Sequence, residues 1–175
     1  MNPYENCPNY ATERFLLRPV RMEDARALLE CYSDPQAVAN MNADNCANDF
    51  YCATLEQMRA QIRFWMDERA AGRYVRYAVA DRALGGTVGT LEIFGGETGV
   101  LRIDLPVRYE NESVMRELIG LAAERMTADF PMGRLCIMAE KLPARRNAAA
   151  ALGFVPSGFR GGKGYYEYAT KEAFA

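Results

Sequence analysis

A chain of 175 residues, half of them hydrophobic and a quarter charged, is sized for one domain with a substantial core. A net charge of −2 and a pI near 5.4 offer no basic face for nucleic acid, and no apolar run approaches the roughly 20 residues of a membrane span. Histidine is absent, which removes Ser-His-Asp and Cys-His catalysis, HExxH zinc sites and any imidazole base.

Cys7, Cys31, Cys46, Cys52 and Cys136 are odd in number and form no C-x-x-C pair. They read as reduced thiols, and no metal site is expected. The opening MNPYENCPNYATER lacks the charged-then-apolar pattern of a signal peptide. A cytoplasmic protein with no nucleic-acid or membrane partner is the expectation.

Residues 1–11 read as a polar arm and 12–175 as one domain. RFLLRPVRM (14–22) predicts a strand ending near Pro19. EDARALLECYS (23–33) predicts a helix: Ala25, Leu28, Leu29 and Tyr32 recur at helical spacing, with Glu23 and Asp24 at its positive end. DPQAVANMN starts a second short helix, and a polar loop around NADNCANDF follows. The strongest helical pattern covers 54–72, with a capping box from Thr54 and Gln57, a stripe of Leu55, Met58, Ile62, Trp65 and Met66, and Gly72 as its stop.

Three strands come next, at 73–83, 87–94 and 100–106, joined by LGG and GGETG, which reads as an antiparallel meander. A helix is predicted from Asn111 to Ala128, with Met115, Leu118, Ile119, Ala122 and Met126 on one face. RLCIMAEK (134–141) is a short strand, 144–153 a helix with Gly153 past its end, and the chain closes with one or two strands around a Gly-rich turn. This order gives a mixed α/β (α+β) domain.

Several phrases in this order resemble the GNAT superfamily of N-acyltransferases, and most nearly its branch acetylating ribosomal-protein N-termini. TERFLLRP (12–19) followed by EDA (23–25) is similar to that branch's opening strand and helix, and SDPQAV (33–38) to its next element. YAVADRALGGTVGTLEI (77–93) resembles its second and third strands, and LGFVPSG (152–158) the phrase after its last helix. The likeness runs from residue 12 to about 170. It implies a GNAT-like, mostly antiparallel central sheet flanked by helices, with acetyl-CoA as co-substrate. It further implies a small-molecule or peptide amine as acceptor, and a homodimer, since the family often pairs.

In that family the acyl donor enters where the fourth strand splays from the fifth. The resemblance therefore implies that the backbone of Ile103, Leu105 and Val107 pairs with the pantetheine arm. The pyrophosphate sits on a turn of the form [QR]-x-x-G-x-[GA], where glycines admit the phosphates and the helix start attracts them. Arg108 to Ser113 align with this turn, so Arg108, Asn111 and Ser113 become coenzyme contacts, while Glu110 and Glu112 replace the glycines. Asn111 is a good N-cap and Glu112 complements the helix dipole, which makes the turn's own carboxylates its expected anions. Arg145, beside Arg146, reads either as a contact to the 3′-phosphate or as a solvated helix start. The family's Asn and Ser before Leu-Gly-Phe are replaced by Leu142 and Arg145, and the tyrosine often found in that helix is missing.

For acyl transfer the candidate bases are Glu92 and Asp104. Each has an alternative reading: Asp104 shares a strand face with Arg102, as a solvent-facing charge pair would, and Glu92 lies on the polar side of its strand. Tyr166 or Tyr168 is the candidate acid, Tyr166 first. The N–H of Leu105 is the oxyanion donor, next to Pro106, which has none. Trp65, with Phe64 and Met66, lines an acceptor pocket or builds helix core. The loop 40–52, with Asn40, Asn42, Asn45 and Asn48, lies where the family binds its acceptor. Two functions stay open at this point: an acetyl-CoA-dependent N-acetyltransferase, or a GNAT-fold protein that has lost the coenzyme and serves as a binding or regulatory module.

Overall fold

The computed structural model describes residues 2–43 and 49–170. Asn45, Cys46 and Asn48 of the acceptor loop, and the last five residues of the expected domain, lie outside these. The fold is mixed α/β, with mostly antiparallel strands and flanking helices, and the chain divides into two compact units.

The first unit comprises Met1–Glu92 and Ile103–Val107. Its strands lie in the order β1 (Tyr10–Ala11), β2 (Phe15–Pro19), β3 (Val75–Asp81) and β4 (Gly86–Phe94, here to Glu92). The N-terminal arm is therefore more than a polar tail: Tyr10 pairs with Leu17 and is buried. Helices α1 (Ala25–Tyr32), α2 (Pro35–Asn42) and α3 (Leu55–Ala70) supply a core that includes Leu28, Tyr32, Met58, Ile62 and Trp65.

Helix α3 begins as its sequence demands. Gln57 N–H donates to Thr54 Oγ1 at 3.2 Å, and Thr54 N–H donates back to Gln57 Oε1 at 3.1 Å. It ends at Gly72, whose φ of +70° suits a glycine beyond a helix terminus. Trp65 is core, whereas Phe64 and Met66 are exposed, so the trio divides between two faces.

The second unit comprises Ile93–Arg102 and Arg108–Ala175. Its strands lie in the order β5 (Gly96–Asp104, here to Arg102), β6 (Met132–Met138), β8 (Tyr165–Ala169) and β7 (Val155–Pro156). In GGETG, residues 96–99 are strand rather than turn. Gly96 N–H donates to Pro131 O at 3.0 Å, and β5 pairs parallel with β6 from Gly96↔Met132 onward. Glycine concealed this strand in the sequence, yet the spacing here requires it: a Cβ on Gly99 would stand 2.7 Å from the carbonyl oxygen of Phe94.

Helix α4 (Glu112–Leu121) buries Met115, Leu118 and Ile119, continues through a π-helical turn (Ala122–Met126), and ends in α5 (Thr127–Asp129). Helix α6 (Pro143–Ala151) closes on Gly153 at φ +87°, and the short α7 (Phe159–Gly162) leads into β8.

Candidate active site

In the first unit the sheet face beneath α1 and α3 carries a buried polar cluster. Along β4, Thr90 and Glu92 share a face by strand alternation. Arg76 projects from β3, Asp104 from the end of β5, and Tyr32 from α1. Arg76 is the hub. Its Nη1 donates to Asp104 Oδ2 at 2.6 Å and to Thr90 Oγ1 at 3.1 Å, and its Nη2 donates to Glu92 Oε2 at 2.5 Å. The Trp65 ring lies 4.6 Å from the guanidinium carbon, a cation–π contact with a desolvated cation.

Proton directions around the cluster follow from chemistry. Tyr32 donates its only hydroxyl hydrogen to Asp104 Oδ2 at 2.8 Å. The 2.7 Å contact between Tyr32 and Thr90 must then run from the Thr90 hydroxyl to the tyrosine oxygen. Asp104, Arg76, Thr90 and Tyr32 form a closed ring of hydrogen bonds. Burial, reinforced by the Asp104 charge, pushes the Tyr32 phenol well above its ordinary range, so it stays a donor.

This corrects the solvent-face reading of Asp104, which is only 1% exposed and is held by Arg76 and Tyr32. Glu92 differs. Its side chain is 15% exposed, Oε2 is held by Arg76, and Oε1 has no hydrogen-bond partner among the described residues. Tyr74, just ahead of β3, is pushed up to about 12 by burial first and by the Glu92 charge next.

The backbone is tight beside this cluster. A Cβ on Gly89 would run into the carbonyl oxygen of Asp104 and stand 2.7 Å from Leu105 Cδ2. Ile103 and Leu105 are buried and Val107 is exposed. In the segment expected to bind the acceptor, Asn42 accepts from Phe50 N–H at 3.1 Å and donates to Asp49 at 2.9 Å.

The second unit holds the helix start that the resemblance assigns to a pyrophosphate. Asn111 caps α4, accepting from Val114 N–H at 3.1 Å. Arg108 is exposed, 5.0 Å from the Tyr109 ring. Ser113 is exposed beside an open hollow of about 390 Å³ that Glu112 and Arg116 also line.

Among the described residues, neither glutamate accepts a hydrogen bond from the turn's backbone, contrary to expectation. Glu110 is turned away to Arg145, which holds it through two 2.8 Å bonds, and Glu112 reaches Asn147 at 3.5 Å and Arg116 at 3.8 Å. Arg145 is therefore no solvated helix start. It is 2% exposed, with its fork on Glu110. The helix start fits a phosphate in its uncovered Ser113 and hollow, and fits it poorly in the acidic side chains around them.

In the second unit the parallel register of β5 with β6 runs from Gly96↔Met132 to Leu101↔Ile137. Tyr166 on β8 is buried, and its hydroxyl donates to Glu140 at 3.0 Å. Burial first, then Glu140, raises it above the usual phenol range, which keeps it protonated at neutral pH. Tyr168 packs on Phe154, with ring centroids 5.2 Å apart.

Sequence reasoning named Tyr32 only as part of a helix face and did not single out Arg76 or Thr90. The one available signal was an arginine in the apolar run YVRYAVA, on the strand face it shares with Ala78 and Ala80, where a cation needs partners. No group of three or more His, Cys, Asp or Glu side chains among the described residues is placed to hold a metal ion. No described helix is long and apolar enough to cross a membrane.

Comparison with known proteins agrees with this fold. The family profile of the acetyltransferase (GNAT) domain matches residues 14–155. Among solved structures, the chain is similar to the ribosomal-protein-S5-alanine acetyltransferase of Vibrio fischeri. The TM-score is 0.72 at 14% identity, over 94% of this chain and 98% of that one. It is similar to a GNAT-family acetyltransferase of Bacillus anthracis, with TM-score 0.69 and 19% identity over 93% and 98% of the two chains. RimJ of Mycobacterium smegmatis, solved in complex with CoA-disulfide, gives 0.72 and 15% over 90% and 83%. At these identities the likeness is one of fold. No curated protein matches the sequence. The alternative of a non-catalytic binding module finds no support among these relatives.

Proposed function

Because the chain belongs to the GNAT acetyltransferase family, we propose that it transfers the acetyl group of acetyl-CoA to the amine of a small molecule or peptide. The acceptor nitrogen attacks the thioester carbon, the C–S bond breaks, and CoA leaves as its thiolate. Glu92 Oε1 takes the proton that the nitrogen must lose, directly or through one water. Tyr166 supplies the proton that the thiolate needs.

The choice of Glu92 over Asp104 rests on one observation: Glu92 has an oxygen without a partner and a partly exposed side chain, whereas Asp104 is enclosed. The acetyl oxyanion falls to the N–H of Leu105. Ile103, Val107, Arg108, Asn111 and Ser113 are the remaining proposed coenzyme contacts.

Isothermal titration with acetyl-CoA at low salt tests the donor, and a mass-spectrometric screen of amines and N-terminal peptides tests the reaction. Binding in the micromolar range with an acetylated product is expected. No heat at millimolar acetyl-CoA would overturn the reading.

A further inference from the structure

A hollow of about 410 Å³ lies in the first unit, bounded by the N-terminal arm, the end of β2 and the last turns of α3. Pockets for small ligands run from roughly 300 to 1,000 Å³. Arg21 and Arg69 line it, and neither has an ion pair among the described residues. Arg18, Arg73 and Arg76 of the same unit are each held by a carboxylate. Arg69 is half-buried, and its side chain hydrogen-bonds the Cys7 thiol, whose own hydrogen goes to Pro3 O at 2.9 Å. Glu5 also lines the hollow, with its Oε1 taken by Asn2 at 3.0 Å. Two cations against one anion leave the lining at +1.

The hollow adjoins the polar cluster. Pro19, Val20, Met66 and Arg69 also line a crevice that reaches Trp65 and Arg76. Val20 N–H donates to Arg76 O at 2.9 Å, which ties the floor of the hollow to the strand that carries Arg76. Resting on the acetyl-transfer reading, we propose that this hollow binds the acceptor beyond its amine, and that the acceptor is a peptide with a carboxylate side chain close behind its N-terminus. A guanidinium presents parallel N–H donors that match the two oxygens of a carboxylate. Asn6 and Asn9 offer amides to peptide groups, and Pro19, Val20 and Met66 give an apolar wall for side-chain stems. A bare phosphate would leave that wall unused.

The test titrates the full chain at low salt with two synthetic tetrapeptide amides, Ala-Asp-Glu-Ala and Ala-Asn-Gln-Ala. The acidic peptide is expected to bind about tenfold more tightly, with an advantage that shrinks as salt rises. Bound peptide is expected to slow iodoacetamide labelling of Cys7. Arg21→Gln and Arg69→Gln should each weaken the acidic peptide about fivefold and leave the neutral one unchanged. Arg69→Gln also alters the surroundings of the Cys7 thiol, so labelling is compared with and without peptide in each variant. Equal affinity for the two peptides would overturn the proposal, as would variants that bind the acidic peptide as the parent does. Inorganic phosphate that displaces the peptide at equal concentration would overturn the carboxylate class. Should Arg69→Gln not fold, exposed Arg21 decides through Arg21→Gln. An acidic peptide that binds while no amine is ever acetylated would remove the transfer reading beneath the proposal. Acetylation without preference for acid, unchanged in both variants, would remove the hollow's role alone.

Discussion

Glu110 and Arg145, 35 residues apart in sequence, meet fork to fork in the second unit: Nε reaches Oε1 and Nη2 reaches Oε2, both at 2.8 Å. Their side chains are 9% and 2% exposed, so both charges are desolvated. The arginine that the resemblance offered to the coenzyme is thus held by a residue that replaces a turn glycine. Glu110→Gln is expected to act in two directions. Breaking one side of a buried pair costs about 3–5 kcal/mol of stability. Removing one like charge from the phosphate's neighbourhood gains about 1 kcal/mol of acetyl-CoA binding, roughly fivefold. Thermal unfolding and isothermal titration on the same sample check both signs, and an unchanged melting temperature would show that the pair carries no stability.

Half-buried Arg18 pairs with buried Asp24 at 2.6 and 2.8 Å, and Asp24 also accepts from Arg21 N–H and Thr87. Burial alone would raise the Asp24 carboxyl, but these donors outweigh it and hold it below the usual range. A depressed folded value means stability that is present above the unfolded value of about 3.9 and is lost as pH falls through the folded one. Asp24→Asn should therefore cost about 2 kcal/mol at pH 7, and the gap to the parent chain should narrow steadily below about pH 4. Urea melts across that range test it. A gap that widens on acidification would reverse the sign.

Asn111 is the side-chain cap of α4. Asn111→Ala is expected to lower stability by about 1 kcal/mol, whereas Asn111→Asp, which still caps and adds charge at the positive end, should stay within a few tenths. The measurement is the urea midpoint at constant slope.

Cys7 is half-buried, whereas Cys31, Cys52 and Cys136 are buried. Burial pushes the thiols of Cys52 and Cys136 up, and that of Cys7 too, although Arg69 pulls Cys7 back toward the thiolate. Among these four, a short iodoacetamide pulse at pH 8 should label Cys7 first, as read by peptide mass mapping. Cys136 labelling first would mean that the second unit opens readily.

Which features the sequence revealed depends on how far apart the partners stand. The Thr54–Gln57 box, the Asn111 cap, the stripe of Met115, Leu118 and Ile119, and the stops at Gly72 and Gly153 are all settled within one helical turn or so. Each was readable. GGETG was misread because two glycines look like a turn until β6 arrives from the far side of α4 to pair with it. Glu92 and Asp104 could be named as carboxylates on strands. That one is enclosed and the other open depends on Arg76, 28 residues from Asp104, and on Tyr32, 72 residues away. The Glu110–Arg145 pair was hidden for the same reason. Charges announce themselves in a sequence, but their partners do not.

Gly89 gives the acid cluster a rigidity of a different kind. At that point the clearance between β4 and the end of β5 is set by main chain against main chain, since any Cβ there would strike the Asp104 carbonyl. Repacking cannot relieve such a contact, because the obstacle is not a side chain. Under random mutagenesis, position 89 would admit no other residue without displacing Asp104 and, through it, Arg76. The cluster's chemistry can drift through its side chains, while its dimensions stay those of a backbone with one missing methyl.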